Sequence, residues 1–504
     1  MTSNSTDQAN ISADVLLTLD ETLQFLGISR PTLYRWLAQG EITGLKAGKQ
    51  WRFRKSDLQA YMARDPLAAT DAPEELVAAE IAALKAALPN ASDPPIGHIG
   101  AQTPGSIEAV FGAICDLAFA LHASDIHLEP VRLADRSDYW LRMRIDGDLQ
   151  EIRRIPNGLH ASLNLCIKQA ANLDLAERKV PQEGGIPYRH ADMSFVLSVA
   201  SLPTLHGESI TIRIQQKERM LMLLETIGIT PEHPLRSWIG SPSGLILFSG
   251  PTGSGKTTTI YSCLNEIATP ERKTFTVSET LDAVIPNTTA IIVNERAGMG
   301  YGPALRSLWQ HDPDILFIGD GSVAEAAQAL PAFALTGHLV LAQIQAGSAA
   351  AAAVHLVNCG AEQFAVAMSL TGILSQCLAR KICTECKEAV SMDASHPLLV
   401  HARELSKRGG LEMPAEFTLY RGRGCDRCRN TGYRGRIALY EAMEWSQSLV
   451  EAMQRRASVE ELEEIAVSQG MVTIGALGIG KAIAGETTLD EVFRVCASRS
   501  QAML

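Results

Sequence analysis

Gly250-Pro251-Thr252-Gly253-Ser254-Gly255-Lys256-Thr257 fits the spacing G-x-x-x-x-G-K-[ST], and these residue types can hold a polyphosphate. Glycines let successive backbone N–H groups turn inward on phosphate oxygens. An apolar run, Leu245-Ile246-Leu247-Phe248, precedes the loop, and a helix-like segment opens near Lys256. The N-terminus of that helix adds partial positive charge. In this pattern Lys256 reaches the β- and γ-phosphates, Thr257 holds Mg²⁺, and Gly253 to Thr258 form the seat of a nucleoside triphosphate such as ATP. The competing reading is a glycine turn with no ligand. The strand–loop–helix flanks argue against it.

A second constellation is Cys383-Thr384-Glu385-Cys386 with Cys425-Asp426-Arg427-Cys428. Two C-x-x-C knuckles make a closed tetrahedral Zn²⁺ site, structural because no coordination position is left for water. A redox pair or plain buried thiols is the alternative. The remaining six of the ten cysteines, Cys263 and Cys377 among them, read as small core residues. Ten cysteines with no signal sequence point to a reducing compartment.

The elements that must position these groups follow from pattern and length. At 504 residues, three or four domains are expected. Apolar residues make up 46% and charged residues 20%, ordinary values for a globular chain. The net charge of −11 excludes a whole-chain affinity for nucleic acid but leaves room for a local basic module. The polar start MTSNSTDQANISADV is no signal peptide. No run of 18 uncharged apolar residues occurs, so no membrane-spanning helix is expected. From 240 to 375, β and α segments alternate: Leu245–Ser249, Thr274–Val277, Ala290–Asn294, Ile315–Gly319 and Leu339–Ile344 are the expected strands. Such alternation predicts an α/β core, a mostly parallel sheet with helices on both faces. Residues 65–103 read as a linker carrying one amphipathic helix, Glu74 to Leu88.

The N-terminal stretch reads as helix, turn at Gly27 and helix, with Ser29 as cap and Pro31 in the first turn. A hairpin from Leu45 to Arg54 and a helix from Ser56 to Met62 follow. Between 18 and 64, eight Lys and Arg face four Asp and Glu, a local charge of +4. Over nearly its whole length this module resembles the winged helix-turn-helix of excisionase and MerR-type proteins. The resemblance implies that Arg30, Thr32, Tyr34 and Arg35 face the major groove of duplex DNA, with Lys49, Arg52 and Arg54 on the wing near phosphates. A helix-turn-helix kept only for protein docking is the alternative.

Residues from about 105 to 497 resemble the secretion and pilus-assembly ATPases of the GspE/PilB type. Ala123-Ser124-Asp125-Ile126-His127-Leu128-Glu129-Pro130 is similar to that family's A-S-D-I-H-x-E-P, Arg144-Ile145-Asp146-Gly147 to its R-I-D-G, and the stretch Ala176 to Gly184 to its A-E-R-R-x-P-Q-D-G. Leu202 to Glu208, His311 to Gly319, Thr336-Gly337-His338 and Gly485 to Val492 resemble further family motifs. The two cysteine knuckles, flanked by Arg423-Gly424 and by Thr431 to Arg436, resemble its tetracysteine element. The resemblance implies a RecA-like P-loop core (219–380) behind a PAS-like α+β domain (104–218). It also implies a tetracysteine zinc element (381–436), a helical C-terminal region (437–504) and, in front, the winged helix-turn-helix (14–64). It implies a homohexamer in the cytoplasm, peripheral to the inner membrane and serving a secretion or pilus platform protein. His338, by the same resemblance, lies near the nucleotide and senses the γ-phosphate; a merely hydrogen-bonded histidine is the alternative.

Departures fall on the chemistry. The family's strand ending Gly-Glu here ends Gly319-Asp320, one methylene shorter. Its E-D-P-x-E is Ser278-Glu279-Thr280-Leu281-Asp282, and its T-L-H-T-N is Gln343-Ile344-Gln345-Ala346-Gly347. Gly185, Val196, Cys166 and Gln310 stand where the family has arginines that neutralise charge in phosphoryl transfer, one of which can be worth ~10³-fold in rate. Asp320 and Glu279 are the surviving acids. Two expectations follow: an ATPase weakened in hydrolysis with a fused DNA-binding domain, or an inactive regulator whose ATP occupancy orders subunits around DNA. Drift around compensating residues would leave the first at full strength.

Overall fold

A computed structural model describes residues 16–26, 33, 37, 44–47, 50–55, 74–88, 106–132, 137–190, 193–216, 221–280, 283–319 and 323–501. Two compact units divide the chain, Met1–Gln215 and Gln216–Leu504.

In the first unit, β1 (Leu16–Thr18), β2 (Leu45–Ala47) and β3 (Gln50–Arg54) form an antiparallel sheet in the order β1-β3-β2. The helix Leu19–Leu26 follows β1 directly. Thr18 and Glu21 cap it reciprocally: Thr18 N donates to Glu21 Oε2 at 2.8 Å and Glu21 N to Thr18 Oγ1 at 3.3 Å. Leu33 and Phe53 are fully buried beneath.

Six antiparallel strands follow: β4 (Ala123–Arg132), β5 (Ser137–Ile145), β6 (Asp148–Ile155), β7 (Gln182–His190), β8 (Met193–Thr204) and β9 (Gly207–Gln216), in the order β6-β5-β4-β9-β8-β7. Helices Ile107–Ala120 and Asn157–Ala170 share its core. The amphipathic helix Glu74–Ala86 belongs to this core through Val77 and Leu84. Its buried Glu80 receives Arg153 Nε at 2.5 Å and Nη2 at 3.1 Å. The family-like motifs are tied together here. Buried Lys168 donates from Nζ to Glu177 O at 2.7 Å and Glu208 Oε1 at 2.8 Å, and Gln182 Nε2 donates to Glu177 O at 2.9 Å.

The second unit is built on β10 (Gly244–Ser249), β11 (Thr274–Ser278), β12 (Thr288–Ile292), β13 (Ile315–Ile318), β14 (Leu339–Ile344), β15 (Leu370–Ile382) and β18 (Tyr433–Glu444), in the order β12-β11-β13-β14-β10-β15-β18. The pairings from β12 to β15 are parallel, and β18 is antiparallel to β15. β13 and β14 are buried along their whole length, as expected for strands covered on both faces. The chain leaves β10 for β11, three places away, while β14 and β15 return to flank it. A crevice therefore opens at the carboxyl ends of these strands.

A two-stranded sheet, β16 (Lys387–Val390) and β17 (Leu419–Gly422), lies between β15 and β18 in sequence. Four helices end the described chain: Gln447–Gln454, Val459–Ser468, Ile474–Ile483 and Leu489–Gln501. Glu441 of β18, buried, accepts from the first N–H of two helices, Ala349 N at 2.8 Å and Ile474 N at 3.1 Å. A carboxylate suits two helix N-termini, where unpaired N–H groups and positive partial charge converge. No helix of the described residues is long and apolar enough to cross a membrane.

Candidate nucleotide site and cysteine cluster

The loop after β10 turns on glycines that need a left-handed backbone. Gly253 has φ 76° and Gly255, at the cap of the helix Lys256–Ile267, has φ 92°. Gly250 has φ 143°, and a Cβ there would stand 2.3 Å from Gln376 O. β15 closes one side of the loop: buried Gln376 donates from Nε2 to Ser254 O at 2.9 Å. Lys256 is buried, with Nζ 2.8 Å from Gly250 O and 3.1 Å from Pro251 O, so its ammonium is held at the loop mouth. Among the described residues, Ser249 Oγ, Ser254 Oγ and Gln376 Oε1 are buried polar atoms without a hydrogen-bond partner. Pro251 and Thr258 are half-buried and Thr252 is exposed. An oriented cation, small residues where a Cβ would intrude, and orphaned polar atoms fit a polyphosphate. Thr257, half-buried, lies one residue into the helix. Its Oγ1 receives Gln343 Nε2 from β14 at 2.9 Å.

Glu279 is exposed, just past the end of β11 at the same carboxyl edge. Gly319 follows β13, donating to Val277 O at 2.8 Å, and a Cβ on it would stand 2.9 Å from Ser278 Cβ. Asp320 lies outside the described residues. His338 is placed elsewhere. It precedes β14, and its carbonyl accepts Gly244 N at 3.1 Å, at the opposite end of β10 from the loop. β10 and β14 run parallel in register from Gly244↔Leu339 to Ser249↔Ile344, so six residues, roughly 20 Å of strand, separate His338 from the phosphate loop. Its Nδ1 lies 2.9 Å from Phe333 O and 3.1 Å from Thr336 Oγ1, and the ring meets Trp309 and Phe333 edge-on. Within the chain, then, the structure groups Gly250 to Thr258 and the strand end bearing Glu279, and it leaves His338 out. The motif patterns do not single out Gln376, and they mark Gln343 only as a departure from T-L-H-T-N. A polar residue inside an apolar strand was the available signal for both.

The four cysteines converge. Sγ atoms of Cys383 and Cys425 are 3.9 Å apart, those of Cys386 and Cys428 3.8 Å, and those of Cys425 and Cys428 3.7 Å. All four lie within 4.8 Å of one another. Tetrahedral Zn–S bonds of about 2.3 Å require S···S near 3.8 Å, so the residues fit the metal. Burial pushes the Cys386 thiol up to about 12. Burial also opposes ionisation of Cys428, yet N–H groups of Cys425 (3.2 Å) and Gly432 (3.3 Å) on its sulfur bring it down to about 7. Gly422 and Gly432 make the close approach that brings the knuckles together: a Cβ on Gly422 would stand 2.0 Å from Gly432 O.

In the N-terminal module, Arg52 is half-buried, with Nη1 on Trp51 O at 3.2 Å, and Arg54 is exposed. Arg30, Thr32, Tyr34, Arg35 and Lys49 lie outside the described residues.

With the sheet order and the loop in place, comparison with known proteins is decisive for family. Residues 101–494 match the family described as Type II/IV secretion system protein. The chain belongs to that family. Residues 16–66 match a helix-turn-helix domain. Among curated relatives, the type IV pilus assembly ATPase PilB of Thermus thermophilus is 37% identical over 380 residues, covering 74% of this chain and 41% of the relative. The type II secretion system protein HxcR of Pseudomonas aeruginosa is 34% identical over 396 residues, 78% of each. The chain thus spans less than half the length of the first and most of the second. Among solved structures, the ATPase DotB of Legionella pneumophila has a TM-score of 0.56 at 16% identity, covering 77% of this chain and 95% of that one. The pilus retraction motor PilT with bound ADP has 0.51 at 18%, covering 76% and 95%. At such identities the likeness is one of fold, a mixed α/β RecA-like secretion ATPase fold.

Proposed function

We propose that this protein binds ATP and Mg²⁺ on Gly250 to Thr258, hydrolyses ATP slowly, and carries a DNA-binding module at residues 14–64. The observation that carries the reading is the phosphate loop itself: left-handed glycines at 253 and 255, a buried Lys256 at the mouth, and Thr257 at the helix start. Lys256 neutralises phosphate charge while backbone N–H groups orient it. Thr257 would hold Mg²⁺, which would supply charge neutralisation to phosphoryl transfer. Glu279 and Asp320 are the acids to orient the attacking water. Weak hydrolysis follows from Asp320, shorter than Glu, and from Gly185, Val196, Cys166 and Gln310 in place of arginines; misplacement by about 1 Å can cost ~10²-fold.

The rest of the reading extends from the family. The chain works as a homohexamer, in the cytoplasm and peripheral to the inner membrane, on a secretion or pilus platform protein. Its segments are 14–64, 65–103, 104–218, 219–380, 381–436 and 437–504, and Zn²⁺ sits on Cys383, Cys386, Cys425 and Cys428. A second reading, an inactive nucleotide-dependent regulator on DNA, is favoured by the concentration of departures at the catalytic positions. An ATPase assay on the Zn²⁺-loaded full chain with Mg²⁺, with and without duplex DNA, separates the two. Turnover supports the motor. Binding of ATP without turnover, coupled to DNA binding, supports the regulator.

A further inference from the structure

The contact between Gln343 and Thr257 joins two residues that the phosphate-loop pattern does not connect. Gln343 is next to last in β14, paired with Phe248 of β10, and is 3% exposed. Its Nε2 lies 2.9 Å from Thr257 Oγ1. The family pattern has threonine at this position, two heavy atoms short of that reach. We propose that Gln343 is a positioning residue for the metal: it fixes the rotamer of Thr257 and the direction of its hydroxyl proton, so that an oxygen lone pair points at the divalent cation that accompanies the nucleotide. The inference rests on the ATP-binding reading above.

The chemistry is that of a hydroxyl with one proton and two lone pairs. A threonine that ligates a cation through oxygen must send its proton elsewhere. In a half-buried setting that proton needs an acceptor, or it is lost as a hydrogen bond. Gln343 carries both an N–H donor and a carbonyl acceptor on one amide. A half-turn about its last side-chain bond exchanges the donor now on Thr257 for Oε1, which takes the proton and leaves both lone pairs for the metal. Because Gln343 is buried in a paired strand, little else can occupy its place. Mg²⁺ demands near-ideal octahedral geometry at 2.0–2.1 Å, so a freely rotating threonine would serve it poorly.

The test is equilibrium binding of ATP to the full chain, with Mg²⁺ and with EDTA. In wild type, Mg²⁺ tightens binding. In Gln343→Ala the tightening falls by roughly five-fold, the scale of one hydrogen bond, while affinity in EDTA stays unchanged. Gln343→Glu keeps the reach and can only accept from the hydroxyl, so it preserves or increases the tightening. An equal loss in Mg²⁺ and in EDTA for Gln343→Ala would overturn the inference, since that is the mark of a residue that merely shapes the loop. So would no loss, or a Gln343→Glu that behaves like Gln343→Ala. A wild type that binds no ATP in either condition is a distinct result: it removes the nucleotide reading itself. Circular dichroism of each variant confirms that the chain is folded.

Discussion

Arg380 of β15 and Glu491 of the last helix meet in a two-point ion pair, with Nε 3.0 Å and Nη2 2.7 Å from Oε2. Arg380 N donates to Oε1 at 2.9 Å. The Glu491 side chain is fully buried, and Arg494 shares it at 2.6–2.7 Å. Arg380 also stacks on Tyr433, 4.2 Å from the ring centre. The pair fastens the C-terminal helix to the strand that reaches the cysteine cluster.

Replacing Glu491 should therefore destabilise this region. Glu491→Gln removes the buried carboxylate charge that Arg380 and Arg494 share, at a cost of about 3 kcal/mol. Burial raises the Glu491 carboxyl, but Arg494 and Arg380 outweigh it and hold it below its ordinary 4.5. A depressed acid contributes stability that is present above pH about 4.5 and is lost as pH falls through the lower folded value. Thermal melts from pH 7 to pH 3 should show wild type losing more stability than Glu491→Gln. Parallel curves would refute the assignment.

Lys256→Ala should weaken ATP binding severely, because the ammonium at the loop mouth contacts two phosphates in this motif. Calorimetry on folded variant and wild type decides it. Equal affinities would dissociate the loop from the nucleotide.

Turnover by the full chain should fall well below the median enzyme rate of about 10 s⁻¹. Asp320→Glu should restore it only in part, since Gly185, Val196, Cys166 and Gln310 stay in place. Ordinary motor rates in the wild type would sink the weakened-hydrolysis reading.

One Zn²⁺ per chain should co-purify under reducing conditions and be lost with Cys383→Ser or Cys428→Ser. Metal binding at such a site is also folding energy, so chelation should lower the melting temperature. Elemental analysis finding no zinc would rule the site out.

Arg52→Ala with Arg54→Ala should weaken binding to every duplex alike and lower the salt slope by about 2. Gel shifts at several salt concentrations read this out. Unchanged binding, or none at all by wild type, would leave residues 14–64 as a docking unit.

Much of the core was legible because β10 up to Phe248, β13, and β14 apart from Gln343 are apolar runs bounded by Gly or His, which leave little freedom of placement. β12 lies at Thr288–Ile292, two residues before the expected Ala290–Asn294. It is an edge strand with exposed positions, so pairing rather than burial sets its ends. β1 is three residues long, too short for any period. Amphipathicity revealed the helix at 74, but periodicity does not say which core receives Val77 and Leu84. His338 shows a different limit. Seven positions before Gln345 in one motif, it is near in sequence and a full strand away in space. Hydrogen bonds that cross between strands and loops, such as Gln376 to Ser254, leave no trace in spacing.

β15 is thirteen residues long and paired along both the early and late parts of its course. Gln376 grips the phosphate loop from its middle, and Cys383 begins one residue past its end. Seven residues, about 23 Å of hydrogen-bonded strand, separate the two. That stretch pairs with β18 but carries a register irregularity between Arg380 and Ile382, so it links the two places with one point of give. Cysteine cluster and phosphate loop thus hang on one strand, and a disturbance at the cysteines should be felt first at that irregularity, before it reaches the loop.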